Sequence, residues 1–235
     1  MPAVALTDHG TMFGTVAFVN VAKAVGVKPI IGLETYLAPR SMHDKDVRRD
    51  KKAFHLVLLA ENMAGYHNLL KIATASQLEG FYYVPRIDRQ FLANHAEGLI
   101  ATSACLSGEL PRAIQDGDMT RAERSLAWYL DLFGNDRFFI ELQQHQIPEL
   151  PMVNKKLLEI GRRHGAKFIA TNDVHYINQE DAPLQDILLA IQTAKVSGTY
   201  PLQGRRGANG DWRMRFGFKH DLSRKAAEER KIFLS

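Results

Sequence analysis

Cys105 is the single cysteine of the chain, so no internal disulfide framework can form, and the sequence suits a reducing cytoplasm. No apolar run approaches the roughly 20 residues that a membrane-spanning helix needs. The opening stretch, MPAVALTDHG, carries no basic region and no cleavage pattern, so no secretory signal is expected. Internal repeats, low-complexity tracts, a Walker loop, paired CxxC motifs and a Rossmann fingerprint are all missing. An excess of positive charge on the body is missing too. The net charge is +4, but Lys195 to Ser235 holds 10 Lys+Arg against 4 Asp+Glu, which leaves 20 against 22 elsewhere. The basic character belongs to the tail and gives no ground for a basic groove on the folded body.

What is present is an ordinary globular balance, 46% hydrophobic and 24% charged over 235 residues, enough for one large domain or two small ones. Short apolar runs alternate with helical patterns. Strands are predicted at Ala3 to Leu6, Pro29 to Ala38, His55 to Ala60, Gly98 to Ala104, Arg137 to Gln143 and Lys167 to Thr171. Helices are predicted at Met12 to Val25, Ala64 to Ser76, Leu110 to Gln115, Thr120 to Phe133, Glu149 to Gly165 and Ala182 to Thr193. Six apolar strands among covering helices imply a mainly parallel sheet, either an α/β barrel or an open doubly wound sheet. The loop from Pro39 to Lys52, rich in both charge signs, is expected to be mobile. After Lys195 the apolar period fades, and the tail reads as irregular, with a short helix around Leu222 to Phe233.

In a parallel α/β fold the carboxyl ends of strands are where polar residues build a site. That rule collects Asp8 and His9 after AVALT, Glu34 in IIGLETY, His55 at the head of HLVLLA, Cys105 after GLIATSA, and Asp173 and His175 in ATNDVHY. The last two stand two apart, so on an extended chain they point the same way. Imidazole, carboxylate and thiolate suit Zn²⁺, and without the sulfur Mn²⁺ or Fe²⁺. Several such ligands suggest a multinuclear centre that activates water and clamps a phosphoryl group.

Each residue also has a plainer reading. His9 fits a turn with Asp8 as a helix N-cap, His55 a packing histidine, and Cys105 a small buried hydrophobe. Glu34 on an apolar strand resists this, since an unpaired buried carboxylate is costly. Together, on the ends of one sheet, they read as a site. His145, following RFFIELQ, is a candidate for its rim. His43, His67, His95 and His164 lie in polar or helical contexts and read as bland. Phe81 to Val84, FYYV before Pro85 and Arg86, could stack bases but reads more readily as a packed loop.

The segments ALTDHGTMFG, KPIIGLETYLAP, HLVLLAEN, LEGFYYVPRID, EGLIATSACLSGELPR, FIELQQHQIPE and IATNDVHY together resemble the PHP (polymerase and histidinol phosphatase) domain of bacterial DNA polymerase III alpha subunits. The resemblance runs from Met1 to about Lys195, and SACLSGE with TNDVHY points to the replicative polymerase rather than to freestanding PHP phosphatases. It implies a distorted (β/α)7 barrel over residues 1–195, with up to three divalent ions, Zn, Mn or Fe. His9, Glu34, His55, Cys105, Asp173 and His175 match its ligand positions, with Asp8 beside them. Glu34, Asp173 and His175 would serve catalysis, and Glu34 would bridge two ions. The implied activity is a 3′–5′ exonuclease within a DNA-directed polymerase (a nucleotidyltransferase), with DNA and other replicase subunits as partners and no membrane. Metal-stabilised scaffolding and hydrolysis of small phosphate monoesters are the alternatives.

Two departures accompany the resemblance. The family carries a motif of the HxHxxxS kind upstream of TDHG, and this chain begins at MPAVALT. The barrel is therefore expected to lack its first strand, to leave AVAL and KFIAT as unpaired edges, and to show little exonuclease activity. From 196 to 235 the basic tail departs from the family, and the polymerase palm is not in this chain.

Overall fold

A computed structural model describes residues 1–145 and 147–192. The chain divides into two compact units, one of Met1–Leu142 with Lys155–Ile169, the other of Gln143–Asn154 with the chain from Ala170. The basic tail and its expected helix lie outside the described residues.

Seven strands alternate with helices in a mixed α/β fold. They are β1 (Ala3–Leu6), β2 (Lys28–Leu37), β3 (Phe54–Ala60), β4 (Arg86–Ile87), β5 (Leu99–Thr102), β6 (Phe138–Gln143) and β7 (Lys167–Thr171). The helices are α1 (Thr15–Ala24), α2 (Met63–Leu78), α3 (Arg89–Asn94), α4 (Glu109–Gln115), α5 (Met119–Phe133), α6 (Leu150–Arg163) and α7 (Ala182–Gln192). The sheet order is β1-β2-β3-β5-β6-β7, with β4 beside β2.

The expected mainly parallel sheet is corrected at its centre. β1–β2, β2–β4 and β5–β6 are parallel, but β3 runs antiparallel to both β2 and β5. The connection from β2 to β3 holds no helix, so the chain turns back instead of crossing over. Apolar runs buried on both faces look alike in either direction, which is why pattern alone suggested parallel pairing.

β4 and α3 were not foreseen. A two-residue strand carries no alternation, but α3 has a readable start. Asp88 is its N-cap, accepting the Phe91 N–H at 2.8 Å with one carboxylate oxygen and the Met42 N–H at 2.9 Å with the other.

The loop expected to be mobile is held instead. Arg86, fully buried, donates to the carbonyls of Gly80, Met42, Asp44 and Asp50 at 2.9–3.1 Å. Buried Asp50 accepts from Arg40 at 2.9 and 2.6 Å and from the Asp46 N–H at 2.8 Å. Arg40 keeps the Asp50 carboxyl below the usual carboxylate range. A cation that satisfies four carbonyls fixes a backbone as a strand partner would.

The core of the first unit gathers Leu33, Leu56, Leu58, Leu69, Ile72, Leu99, Leu126 and Phe138, all at 0–1% exposure. Arg89 ties α3 to α4 and α5 through Glu109 at 2.8 Å and Ser125 at 3.1 Å, while the Tyr129 hydroxyl donates to Glu109 at 2.9 Å.

Candidate metal centre

Glu34 is the hub. It sits late in β2, 4% exposed, with one carboxylate oxygen 2.6 Å from His55 Nδ1 and the other 3.5 Å from His9 Nε2. One ligand atom from each of His9, Glu34 and His55 lies within 4.8 Å of the others. The three rings around it are close, His9 and His55 with centroids 5.3 Å apart and Tyr36 5.0 Å from His55.

The backbone sets this row. Past β1 the chain returns to β2: the Glu34 N–H donates to the Asp8 carbonyl at 3.1 Å and the Gly10 N–H to the Glu34 carbonyl at 2.9 Å. Gly10 turns there at φ 63°, and a Cβ would strike Pro85, so glycine is required on both counts. His55 is the second residue of β3, and β3 is antiparallel to β2, so Tyr36 faces His55 in register. The His55 N–H then donates to the Ser107 carbonyl at 3.1 Å. In a parallel sheet the start of a strand would lie at the far end. The reversal of β3 brings His55 to the site.

Cys105 arrives from the loop after β5, with Sγ 3.8 Å from His55 Nδ1 and accepting the Ser107 N–H at 3.5 Å. Ala104, at φ 56°, holds a left-handed turn just before it, a strain that the Ser103–Gly108 loop maintains. Asp8 does not belong to the three-residue cluster. Its carboxylate lies near Gly14, but Gly14 itself is the N-cap of α1, so Asp8 does not take the plainer capping role either.

In the second unit Asp173 and His175 are together: His175 Nδ1–H donates to the Asp173 carbonyl at 2.9 Å and lies 3.8 Å from its carboxylate. The reason differs from the expected one. β7 ends at Thr171 and Asp173 is left-handed at φ 48°, so a turn and not strand alternation pairs them. His145, half-buried, follows β6 in this unit. His67, His43 and His164 are exposed, as their bland readings required.

Tyr36 was missed. Burial first, then Glu34 and Cys105, push its phenol up to about 12, so it stays protonated at any physiological pH. Its signal was the spacing in GLETY, which places Tyr36 on the same face of β2 as Glu34.

The donor set fits a divalent ion. Two imidazoles and a buried carboxylate converge, and the short Glu34–His55 contact is the carboxylate–imidazole pairing that orients histidine ligands. Among the described residues no helix is long and apolar enough to cross a membrane.

Residues 1–145 match the PHP domain family model. The chain is 50% identical over 194 residues to DNA polymerase III subunit alpha of Thermus aquaticus, covering 82% of this chain and 16% of that protein. The corresponding subunits of Borreliella burgdorferi and Treponema pallidum are 47% and 46% identical, each over 82% of this chain and 17% of theirs. The chain thus spans about a sixth of the length of the curated relatives it matches. A solved structure from Bifidobacterium adolescentis, described as a metal-dependent phosphoesterase, aligns with TM-score 0.42 and 14% identity over 87% of this chain and 88% of that one.

Proposed function

The chain belongs to the PHP domain family, and on that footing we propose that it is the metal-dependent phosphoesterase-type module of a cytoplasmic replicative DNA polymerase, its site directed at DNA 3′ ends but weakly active without the upstream HxHxxxS motif. The observation that carries this is the convergence of His9, Glu34 and His55 within 4.8 Å. A divalent ion held there supplies polarisation of a phosphoryl oxygen and activation of water. With Cys105 sulfur at the rim the set favours Zn²⁺, and without it Mn²⁺ or Fe²⁺. Glu34 orients His55 through the 2.6 Å contact, and exposed His9 forms the open side that a phosphate end can reach. Tyr36 holds its proton beside them. Asp173 and His175 offer a second pair of donors of the same chemistry. Full replicase activity, and docking to other replicase subunits, belong in this proposal to the longer protein.

A scaffold reading has one observation in its favour. His55 is bonded to both Glu34 and the Ser103–Gly108 loop, so a bound ion would also clamp β2, β3 and the chain after β5.

Titration calorimetry with Mn²⁺ and Zn²⁺, beside hydrolysis of a 3′-labelled single strand, tests both. Glu34→Gln is expected to weaken metal binding at least about 10–100-fold, with hydrolysis falling in step. Unchanged affinity in Glu34→Gln would overturn the site. Metal binding that raises the melting temperature without any hydrolysis leaves the scaffold reading standing.

A further inference from the structure

The stretch FYYV packs only in part, with Tyr82 and Val84 half-buried. Phe81 and Tyr83 are 50% and 55% exposed, with Tyr82 turned inward against Arg86. Tyr83 stands at φ 62°, a left-handed backbone that an aromatic residue adopts only when its surroundings impose it. Lys51 Nζ lies 5.2 Å from the centre of the Tyr83 ring. Lys51 comes from the loop that Arg86 and Asp50 hold in place. Between Arg40 and Lys52 that loop has six Lys+Arg against three Asp. The acids are largely occupied: Asp50 is buried on Arg40, Asp44 pairs with Arg40 at 3.3 Å, and one Asp46 oxygen accepts the N–H groups of Arg48 and Arg49. The side chains of Arg48, Arg49, Lys51 and Lys52 are exposed. The charge balance of the whole body hid this local surplus.

We propose that Phe81 and Tyr83, with Arg48, Arg49, Lys51 and Lys52, form a docking surface for single-stranded DNA that leads to the metal centre. Exposed rings stack on unpaired bases whatever their sequence, and cations beside them track the phosphates. A duplex keeps its base faces covered, so two bare rings select for single strands. Four exposed cations beside the rings match a polyanionic strand, whereas a protein interface core is depleted of Lys. Arg86 and Asp50 already hold the backbone of the loop, which lowers the ordering cost of binding. It is also continuous with the site, because Pro85 packs on Gly10, the residue after His9. The choice of DNA rests on the function proposed above, whereas the stacking surface does not.

Fluorescence anisotropy of labelled (dT)12 with the full chain in EDTA separates the two claims, since metal plays no part in the signal. The basic tail is common to all variants, so differences report on this surface. Phe81→Ala with Tyr83→Ala is expected to weaken binding about tenfold or more, while Tyr83→Phe keeps the parent affinity. Arg48→Glu with Arg49→Glu should flatten the salt dependence by about 1.4 in log–log slope, two phosphate contacts at about 0.7 each. Unchanged (dT)12 affinity in both double variants overturns the proposal and leaves the face to a protein partner. Equal losses on single-stranded and duplex oligonucleotides overturn it as well, by reducing it to plain charge. A matched ribo-oligonucleotide that binds more tightly than (dT)12 overturns the choice of DNA. Should binding fail while Glu34-dependent metal binding persists, the surface falls and the metal centre stands.

Discussion

Helices α1 and α5 belong to the same compact unit and use apolar residues in opposite ways. α1, TVAFVNVAKA, is apolar nearly all round, yet only Thr15 and Ala22 are buried, and Val16 and Val21 are 69% and 64% exposed. α5, MTRAERSLAWYLDLF, is far more polar, yet buries Ala122, Ser125, Leu126, Tyr129 and Phe133, a single stripe at helical spacing. The caps differ as well. Asp118 accepts the Arg121 N–H at 2.9 Å at the start of α5 and Gly134 ends it, whereas Gly14 gives α1 no side-chain cap. Apolar content therefore does not rank the two. α5 has neighbours along its stripe in α4 and β5, with Tyr129 stacked on Phe138 at 4.8 Å, whereas α1 packs on β2 along one narrow side. The free energy of an apolar residue comes from the water it leaves, and most of α1 has not left it.

That contrast can be broken most directly with Leu126→Ala, which removes a side chain at 0% exposure and is expected to cost about 2–5 kcal/mol in urea denaturation. A loss below about 1 kcal/mol would show that the α5 stripe is loosely packed. A smaller effect concerns pH. Burial first, then Glu109, push the Tyr129 phenol well above its ordinary value. The unfolded chain ionises this group near pH 10 and the folded chain does not. Its contribution is thus full below about pH 10 and is lost as pH rises beyond it, by at most about 1.4 kcal/mol per pH unit. Tyr129→Phe should show a shallower alkaline fall in thermal melts, and an unaltered slope would refute the assignment. The smallest effect is expected on α1, where Val21→Ser should change stability by no more than about 0.5 kcal/mol. A loss of 2 kcal/mol there would mean that the exposed face is covered in solution, and the two helices would then be alike.

The site divides along similar lines. His9, Glu34, His55 and Cys105 could be picked from the sequence because chemistry-bearing side chains next to apolar runs are a local signal. Apolar pattern puts His55 at the head of a parallel strand, whereas it reaches Glu34 only because β3 runs antiparallel to β2. Asp173 and His175 were paired by an alternation that the left-handed Asp173 does not follow. The spacing in GLETY puts Tyr36 on the Glu34 face of β2, but the burial that raises its phenol there is set by the fold.

By itself the sequence determined where strands and helices lie, since apolar period, caps and turn residues act over a few neighbouring positions. Most of the predicted elements fall within three residues of their observed ends. Strand direction, the order of the sheet, the clamp of Arg86 on the 39–52 loop and the exposure of Phe81 and Tyr83 were decided by the tertiary structure alone. Those features depend on groups distant in sequence meeting in space. Arg86 and Met42 are 44 positions apart, and nothing in either segment announces that a buried guanidinium will find its carbonyls in the other.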